Sequence, residues 1–235
     1  MLCIAHRGLA NTNRPENTLA AVEAALELGV DAIEVDLWYI HGRFWMTHDR
    51  IWRGASKSLT GHTKPQLEAI RHRNGEPLAG LDELLNLVQD RCLLNIELKN
   101  GGGADQLCKT LTAYSHDTRI SLEQIIISSF NHHELNACKH LLPTVKRGML
   151  LASLPLGYGA CANDLQPYSI NTSINLMSKD FTEDIHKRGY QHWVYTANTR
   201  EDWDHLHDLE VDGCFTDVAD QFKAYLNART PLSPR

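Results

Sequence analysis

The alternation of short strand-like runs with amphipathic stretches constrains this chain more than any other feature. Strands are expected at Leu2–Ala5, Ala32–Leu37, Leu93–Leu98, Ile125–Ser128, Val145–Leu150, Ser169–Asn171, His192–Thr196 and Gly213–Thr216. Helices are expected at Glu16–Leu28, Leu81–Gln89, Ala104–Ser115, His132–Leu142, Lys179–Arg188, Arg200–Leu209 and Asp217–Leu226. In the first helix Leu19, Val22, Leu26 and Leu28 approximate a helical stripe. Gly29 and Gly189 follow helical runs as C′ residues.

Such alternation implies a parallel sheet with helices packed outside it. About eight strand–helix units in roughly 250 residues is the size of one TIM (β/α)8 barrel. The whole chain, 1–235, is therefore read as a single barrel domain. A doubly wound open sheet would need a Gly-rich phosphate loop after the first strand, and His6-Arg7-Gly8-Leu9 is not one. The segment 50–77, with Gly54, Gly61, Pro65 and Gly75, reads as a rim excursion after the second strand. Ala152–Gln166 is rich in Gly, Pro and Asn and is expected to be irregular.

Composition narrows the class of function. With 43% hydrophobic residues the chain can bury a sizeable core. No stretch approaches the roughly 20 apolar residues of a membrane span. The net charge of -6, without a basic block, argues against nucleic acid as a partner. His6-Arg7 interrupts the first apolar run, so no signal peptide is expected. The six cysteines lack C-x-x-C spacing, which fits free thiols in a reducing cytoplasm rather than a zinc site. Nothing in the sequence bears on oligomeric state.

Glu34 and Asp36 are two apart on an apolar strand, so they face the same way with Cα atoms about 7 Å apart. In the next strand, alternation puts Asn95, Glu97 and Lys99 on one face. Three carboxylates from two strand ends form a hard oxygen site suited to one divalent cation, Mg²⁺ or Ca²⁺. An ion pair to Arg7 or Lys99 is the structural alternative. His6 and His48 are the two histidines at strand ends beside these acids, and a pair of imidazoles can divide general acid and general base work. The other eleven lie mostly in helical or loop contexts, and each is read as an exposed polar residue sooner than as a ligand. Arg7 can grip a phosphate in bidentate fashion, or pair with Glu16 or Glu34. Asn17 is equally a helix N-cap and a support for the site. For Asp217 a cap on the last helix is preferred over orienting a catalytic group.

The ordered set of motifs resembles the glycerophosphodiester phosphodiesterase family. It comprises His6-Arg7-Gly8, Pro15-Glu16-Asn17-Thr18, Glu34-Val35-Asp36, His48-Asp49, Glu97-Leu98-Lys99, Ser128-Ser129-Phe130, Tyr195-Thr196-Ala197-Asn198 and Asp212-Gly213-Cys214-Phe215-Thr216-Asp217. The resemblance implies a TIM barrel that hydrolyses glycerophosphodiesters to sn-glycerol 3-phosphate and an alcohol. It implies His6 and His48 as acid/base pair, Glu34, Asp36 and Glu97 as metal ligands, and Arg7 and Lys99 on the phosphate. Glu16, Asn17 and Asn198 fall in supporting positions. The hairpin Ile40-His41-Gly42-Arg43 and Tyr195 depart from the family pattern, which bears on the leaving group. Phe130, Tyr195 and Trp45 are candidates to line the alcohol side. Lysophospholipase D-type hydrolysis of a lipid, a non-catalytic barrel binding phosphorylated ligands, and a metal-dependent isomerase or aldolase barrel are the competing readings.

Overall fold

The structure is a computed structural model that describes residues 1–116 and 120–229. The expected span 1–235 also includes 117–119 and 230–235, which lie outside the described residues. Eight parallel strands close into a barrel: β1 (Leu2–Ala5), β2 (Ala32–Ile40), β4 (Leu93–Leu98), β5 (Ile125–Ser129), β6 (Lys146–Leu151), β7 (Ser169–Ser173), β8 (Gln191–Tyr195) and β9 (Gly213–Thr216). Closure is explicit, because β1 pairs with both β2 and β9. This rules out the open doubly wound sheet.

A further strand, β3 (Arg43–Met46), was not among the expected runs. It pairs antiparallel to the second half of β2, Leu37↔Met46 through Ile40↔Arg43. The hairpin turn uses His41 and Gly42, both at positive φ. That is the backbone a two-residue hairpin loop requires. Pairing with β3 carries β2 to Ile40, beyond the expected end at Leu37.

The helices are α1 (Leu19–Leu28), α2 (Lys64–Glu68), α3 (Leu81–Val88), α4 (Ala104–His116), α5 (His132–Leu141), α6 (Lys179–Lys187), α7 (Arg200–Asp208) and α8 (Ala219–Arg229). Two starts differ from expectation for a physical reason. The N-cap of α1 is Thr18, whose Oγ1 accepts from Ala21 N at 3.2 Å, and not Asn17. The last helix begins at Ala219, leaving Asp217 outside it and its side chain free for another role. Gly29 closes α1 in the left-handed region at φ 71°, as expected. Between β6 and β7 there is only a 3-10 turn, Tyr158–Ala162, within the segment expected to be irregular.

Two apolar layers result. Outward side chains such as Val35, Leu37, Ile96 and Ile127 pack against the helices, while Ile4, Ala32, Ile126, Trp193 and Phe215 fill the barrel interior. The excursion builds its own small core from Trp38, Ile40, Trp45, Leu59, Leu67 and Leu78. Trp45 is 1% exposed and donates from Nε1 to Ile40 O at 3.1 Å. Its place is in this packing and not in the cleft, correcting the pocket-lining expectation. His192 is a second correction: it is buried on β8, with Thr172 and Thr182 hydroxyls on its two ring nitrogens. Burial there pulls its pKa down to about 4. Among the described residues no helix is long and apolar enough to cross a membrane.

Trp45→Ala should lower unfolding free energy by about 3–5 kcal/mol, because it empties the centre of the excursion's core. Denaturant titration checks this, and a loss below about 1 kcal/mol would contradict the packing role.

Candidate active site

The C-terminal ends of the strands converge on one cleft. His6, Arg7, Glu34, His48, Glu97 and Lys99 all line it, in a cavity of about 160 Å³. Phe215 forms part of its lower wall, joining it to the apolar barrel interior. Sequence alternation delivers the carboxylates, and strand register aligns them. β2 and β4 pair with Asp36 directly beside Glu97 and Glu34 beside Asn95.

Turn geometry after β1 does the rest. Arg7 takes a left-handed backbone at φ 58°, and its N–H donates to Glu34 Oε2 at 2.9 Å. Gly8 follows at φ 80°, where a Cβ would lie 2.7 Å from the Ala21 backbone carbon. Only glycine lets the chain pass so close to α1. Asn17 is also left-handed, at φ 54°. Its amide donates to Asp36 Oδ2 at 2.8 Å and accepts from Asp36 N at 3.0 Å. It thus supports the site rather than capping the helix.

Glu34, Asp36 and Glu97 offer oxygen atoms that all lie within 4.8 Å of one another. Among the described residues they are the one such cluster of three that could hold a metal ion. Glu34 Oε1 is buried without a hydrogen-bond partner. An all-oxygen donor set with an orphaned carboxylate oxygen fits a hard divalent cation. Burial and the neighbouring Asp36 and Glu97 push the Glu34 carboxyl well above its ordinary range. Burial and Asp36 raise Glu97 to about 7, against the pull of Lys99. Burial also works against Asp36, but Lys99, Arg7 and Asn17 hold it below the usual value.

The cations are shared among these acids. Lys99 Nζ lies 3.1 Å from Asp36 Oδ1 and 2.7 Å from Glu97 Oε1. Arg7 bonds Glu16 Oε1 at 3.1 Å and approaches Asp36 Oδ2 at 3.3 Å. Ion pairing and a place in the cleft therefore hold together for both.

Each imidazole leans on a carboxylate through Nδ1. His6 meets Asp217 Oδ1 at 2.7 Å and His48 meets Asp49 Oδ1 at 2.8 Å. Asn198 donates to Asp217 Oδ2 at 2.7 Å and accepts from the Asp217 N–H at 2.8 Å. Asp217 thus orients His6 instead of capping α8, and Asn198 holds Asp217. Burial raises the Asp217 carboxyl, but the hydrogen bond and charge of His6 bring it below its ordinary value. Phe130, 44% exposed, and Tyr195 line the cleft and meet edge-on at 6.0 Å between ring centres. Sequence reasoning passed over Asn95 and Ser128 as cleft residues. Both line it with buried polar atoms that lack partners. The same alternation that marked Glu97 marks Asn95.

The glycerophosphoryl diester phosphodiesterase family profile matches residues 6–39 and 53–221. The glycerophosphodiester phosphodiesterase of Caldanaerobacter subterraneus subsp. tengcongensis is 32% identical over 233 residues, covering 92% of this chain and 93% of that protein. The chain belongs to this family. Members catalyse cleavage of phosphoric diesters, and so does this one. The matched stretches leave out 40–52, the hairpin that carries His48. Among solved structures, an Oleispira antarctica phosphodiesterase in complex with the product sn-glycerol-3-phosphate superposes with a TM-score of 0.83 at 21% identity, over 95% of this chain and 96% of that one. A glycerophosphodiester phosphodiesterase from Parabacteroides distasonis gives 0.82 at 21% identity, over 96% of both chains. These two share the barrel.

A carboxyl with a raised folded-state pKa binds its proton more tightly in the folded than in the unfolded chain. Its stabilising effect is complete below the unfolded value and is lost as pH rises through the folded one. For Glu97 that window runs from about 4.5 to about 7. Buried His192, held near 4, contributes the opposite slope over much of the same range, so the Glu97 effect is read as a difference: the metal-free phosphodiesterase should lose unfolding temperature relative to its Glu97→Gln variant across that window. Calorimetric scans of both proteins with a chelator test this; a difference that stays flat or rises with pH would contradict the crowding of the three acids.

Proposed function

We propose that this phosphodiesterase hydrolyses glycerophosphodiesters to sn-glycerol 3-phosphate and an alcohol. In this reading one divalent cation, Mg²⁺ or Ca²⁺, is held by Glu34, Asp36 and Glu97, and His6 and His48 act as the acid/base pair. The supporting observation is that two imidazoles, each with Nδ1 on a carboxylate, face one cleft with three carboxylates and a lysine. A non-catalytic phosphate-binding barrel has no use for both oriented imidazoles.

Bound to the three acids, the cation supplies Lewis-acid stabilisation of phosphoryl charge. Arg7 and Lys99 add preorganised positive charge beside the same phosphoryl group. One imidazole takes the proton of the attacking hydroxyl, from water or from the substrate's own 2-hydroxyl. The other donates a proton to the departing alcohol as its bond to phosphorus breaks. Asp217 and Asp49 keep each ring in place, so Nε2 is the nitrogen that exchanges protons. Asn95 and Ser128, with unpartnered polar atoms in the cleft, receive substrate hydroxyls. Phe130 and Tyr195 pack against the organic part of the diester. The whole chain works as one domain, and the buried unpaired thiols of Cys3, Cys108, Cys138 and Cys214 suit a reducing cytoplasm.

Release of glycerol 3-phosphate from glycerophosphocholine and glycerophosphoethanolamine, with Mg²⁺ or Ca²⁺, is the direct test. A chelator should abolish it, and His6→Ala should lower the rate by about 10²–10⁴-fold. No release from either diester by folded protein would sink the reading, and release of choline from lysophosphatidylcholine alone would favour a lipid substrate.

Asp217→Asn separates orientation from binding. It should lower kcat by about 10²-fold or more while leaving KM within a few-fold, because the positioned imidazole and not substrate affinity is lost. Equal losses in both parameters would argue that Asp217 contacts substrate directly.

A further inference from the structure

A second, larger cavity of about 460 Å³ opens beside the cleft, and His48 lines both. The loop after β1 and the rim excursion form its walls. Arg53, Arg71 and Arg73 stand on the excursion side. Two acids also border it, but each is engaged elsewhere: Glu16 pairs with Arg7 and Asp49 with His48.

Among the described residues the three arginines have no carboxylate partner. Arg71 donates to the Glu68 and Ile70 carbonyls and Arg73 to the Asn11 carbonyl. Arg53 makes no hydrogen bond or ion pair there. In a chain of net charge -6, three guanidinium groups around one cavity, whose two acids are each engaged by other cations or imidazoles, leave the local field positive. Guanidinium forks match phosphate oxygens in bidentate fashion.

The cavity is built rather than incidental. Residues 71–77 form a tight turn closed by the Arg71↔Pro77 bridge and by His72 N to Glu76 O at 2.8 Å. Trp52 and His72 meet edge-on at 5.0 Å and stiffen its wall. The excursion's apolar core, on which Trp52 packs, anchors this wall to β2 and β3.

Building on the phosphodiesterase reading, we infer that this cavity holds the leaving alcohol, and that the preferred alcohol carries a phosphate group of its own. His48 stands at the junction, where the bond between phosphorus and the leaving oxygen breaks. Phe130 and Tyr195, which do not line the arginine cavity, are then left to the glycerol side.

Glycerophosphoinositol 4-phosphate and glycerophosphoinositol differ by one phosphate on the leaving alcohol and make the matched pair of substrates. The kcat/KM ratio should favour the phosphorylated diester by about tenfold or more, as one or two charge-assisted contacts give. Arg53→Gln should shrink that ratio, and Arg53→Glu should reverse it. Arg53 is the cleanest site because it makes no internal bond. A ratio near one in the unaltered protein, or one unmoved by both variants, overturns the inference while leaving the phosphodiesterase reading intact.

Calorimetry with the free alcohol reads the cavity independently of turnover. Inositol 4-phosphate should bind and inositol should not, with binding weakened by Arg53→Gln and Arg73→Gln. Inorganic phosphate binding as tightly as inositol 4-phosphate would make the cavity a general anion site and overturn its assignment to the leaving alcohol. Failure of the broader reading looks different: no glycerol 3-phosphate from any diester.

Discussion

Three carboxylates crowded at the mouth of a barrel repel one another, and the parts of the cleft are arranged around that repulsion. The parallel register that sets Asp36 beside Glu97 is fixed by apolar side chains on the outer face of β2 and β4, so the acids cannot slip apart without exposing the core. Lys99 and Arg7 offset part of the charge, and Asn17 clamps the most buried of the three. The remaining excess is carried as raised proton affinity on Glu34 and Glu97. One dication at this site would relieve all three pairwise repulsions at once, where each proton relieves only those of the carboxylate that binds it.

The cleft also depends on where the barrel closes. His6 follows β1 and Asp217 follows β9, more than two hundred residues apart, and they meet because β1 and β9 pair from Leu2↔Gly213 to Ala5↔Thr216. Asn198, after β8, completes the bracket around Asp217. One imidazole is therefore set by the last two strands of the fold. The other, His48, is set by a hairpin that only the β2 extension makes possible. The two imidazoles thus rest on different parts of the chain, and only the His6–Asp217 pair waits for the ring to shut.

What the sequence made legible follows from these dependencies. Period-two alternation marks Glu34, Asp36, Asn95 and Glu97 directly, since facing is a local property of a strand. The barrel follows from strand–helix alternation, and the irregular β6–β7 segment from its Gly and Pro content. For Asp217 the cap is locally the better reading, because a helix start at Asp217 looks the same in sequence as one two residues later at Ala219, and its partner His6 lies across the seam. Between cap and support, the two equal readings of Asn17, its left-handed backbone decides: it moves the cap to Thr18 and turns the amide onto Asp36. Trp45 is misplaced because the hairpin at Ile40–Arg43 is expected without its second strand, Arg43–Met46. Once Arg43–Met46 pairs with β2, Trp45 stands opposite Trp38 and shares its core.

The same hairpin explains why recognition and chemistry are unequally constrained in this fold. Residues 40–52 fall outside the stretches that match the family profile, yet they carry an imidazole into the cleft. Their backbone is anchored by ladder bonds to β2, by Met46 N to Ala79 O at 2.8 Å, and by Trp38 Nε1 to His48 O at 3.2 Å. These contacts are to main-chain carbonyls and to an apolar core, neither of which fixes the identity of most hairpin residues. His48 can be held steady while the surface around it changes. A barrel that sets its cleft residues at the strand ends can therefore exchange the loop wall beside them. In this chain that wall presents arginines.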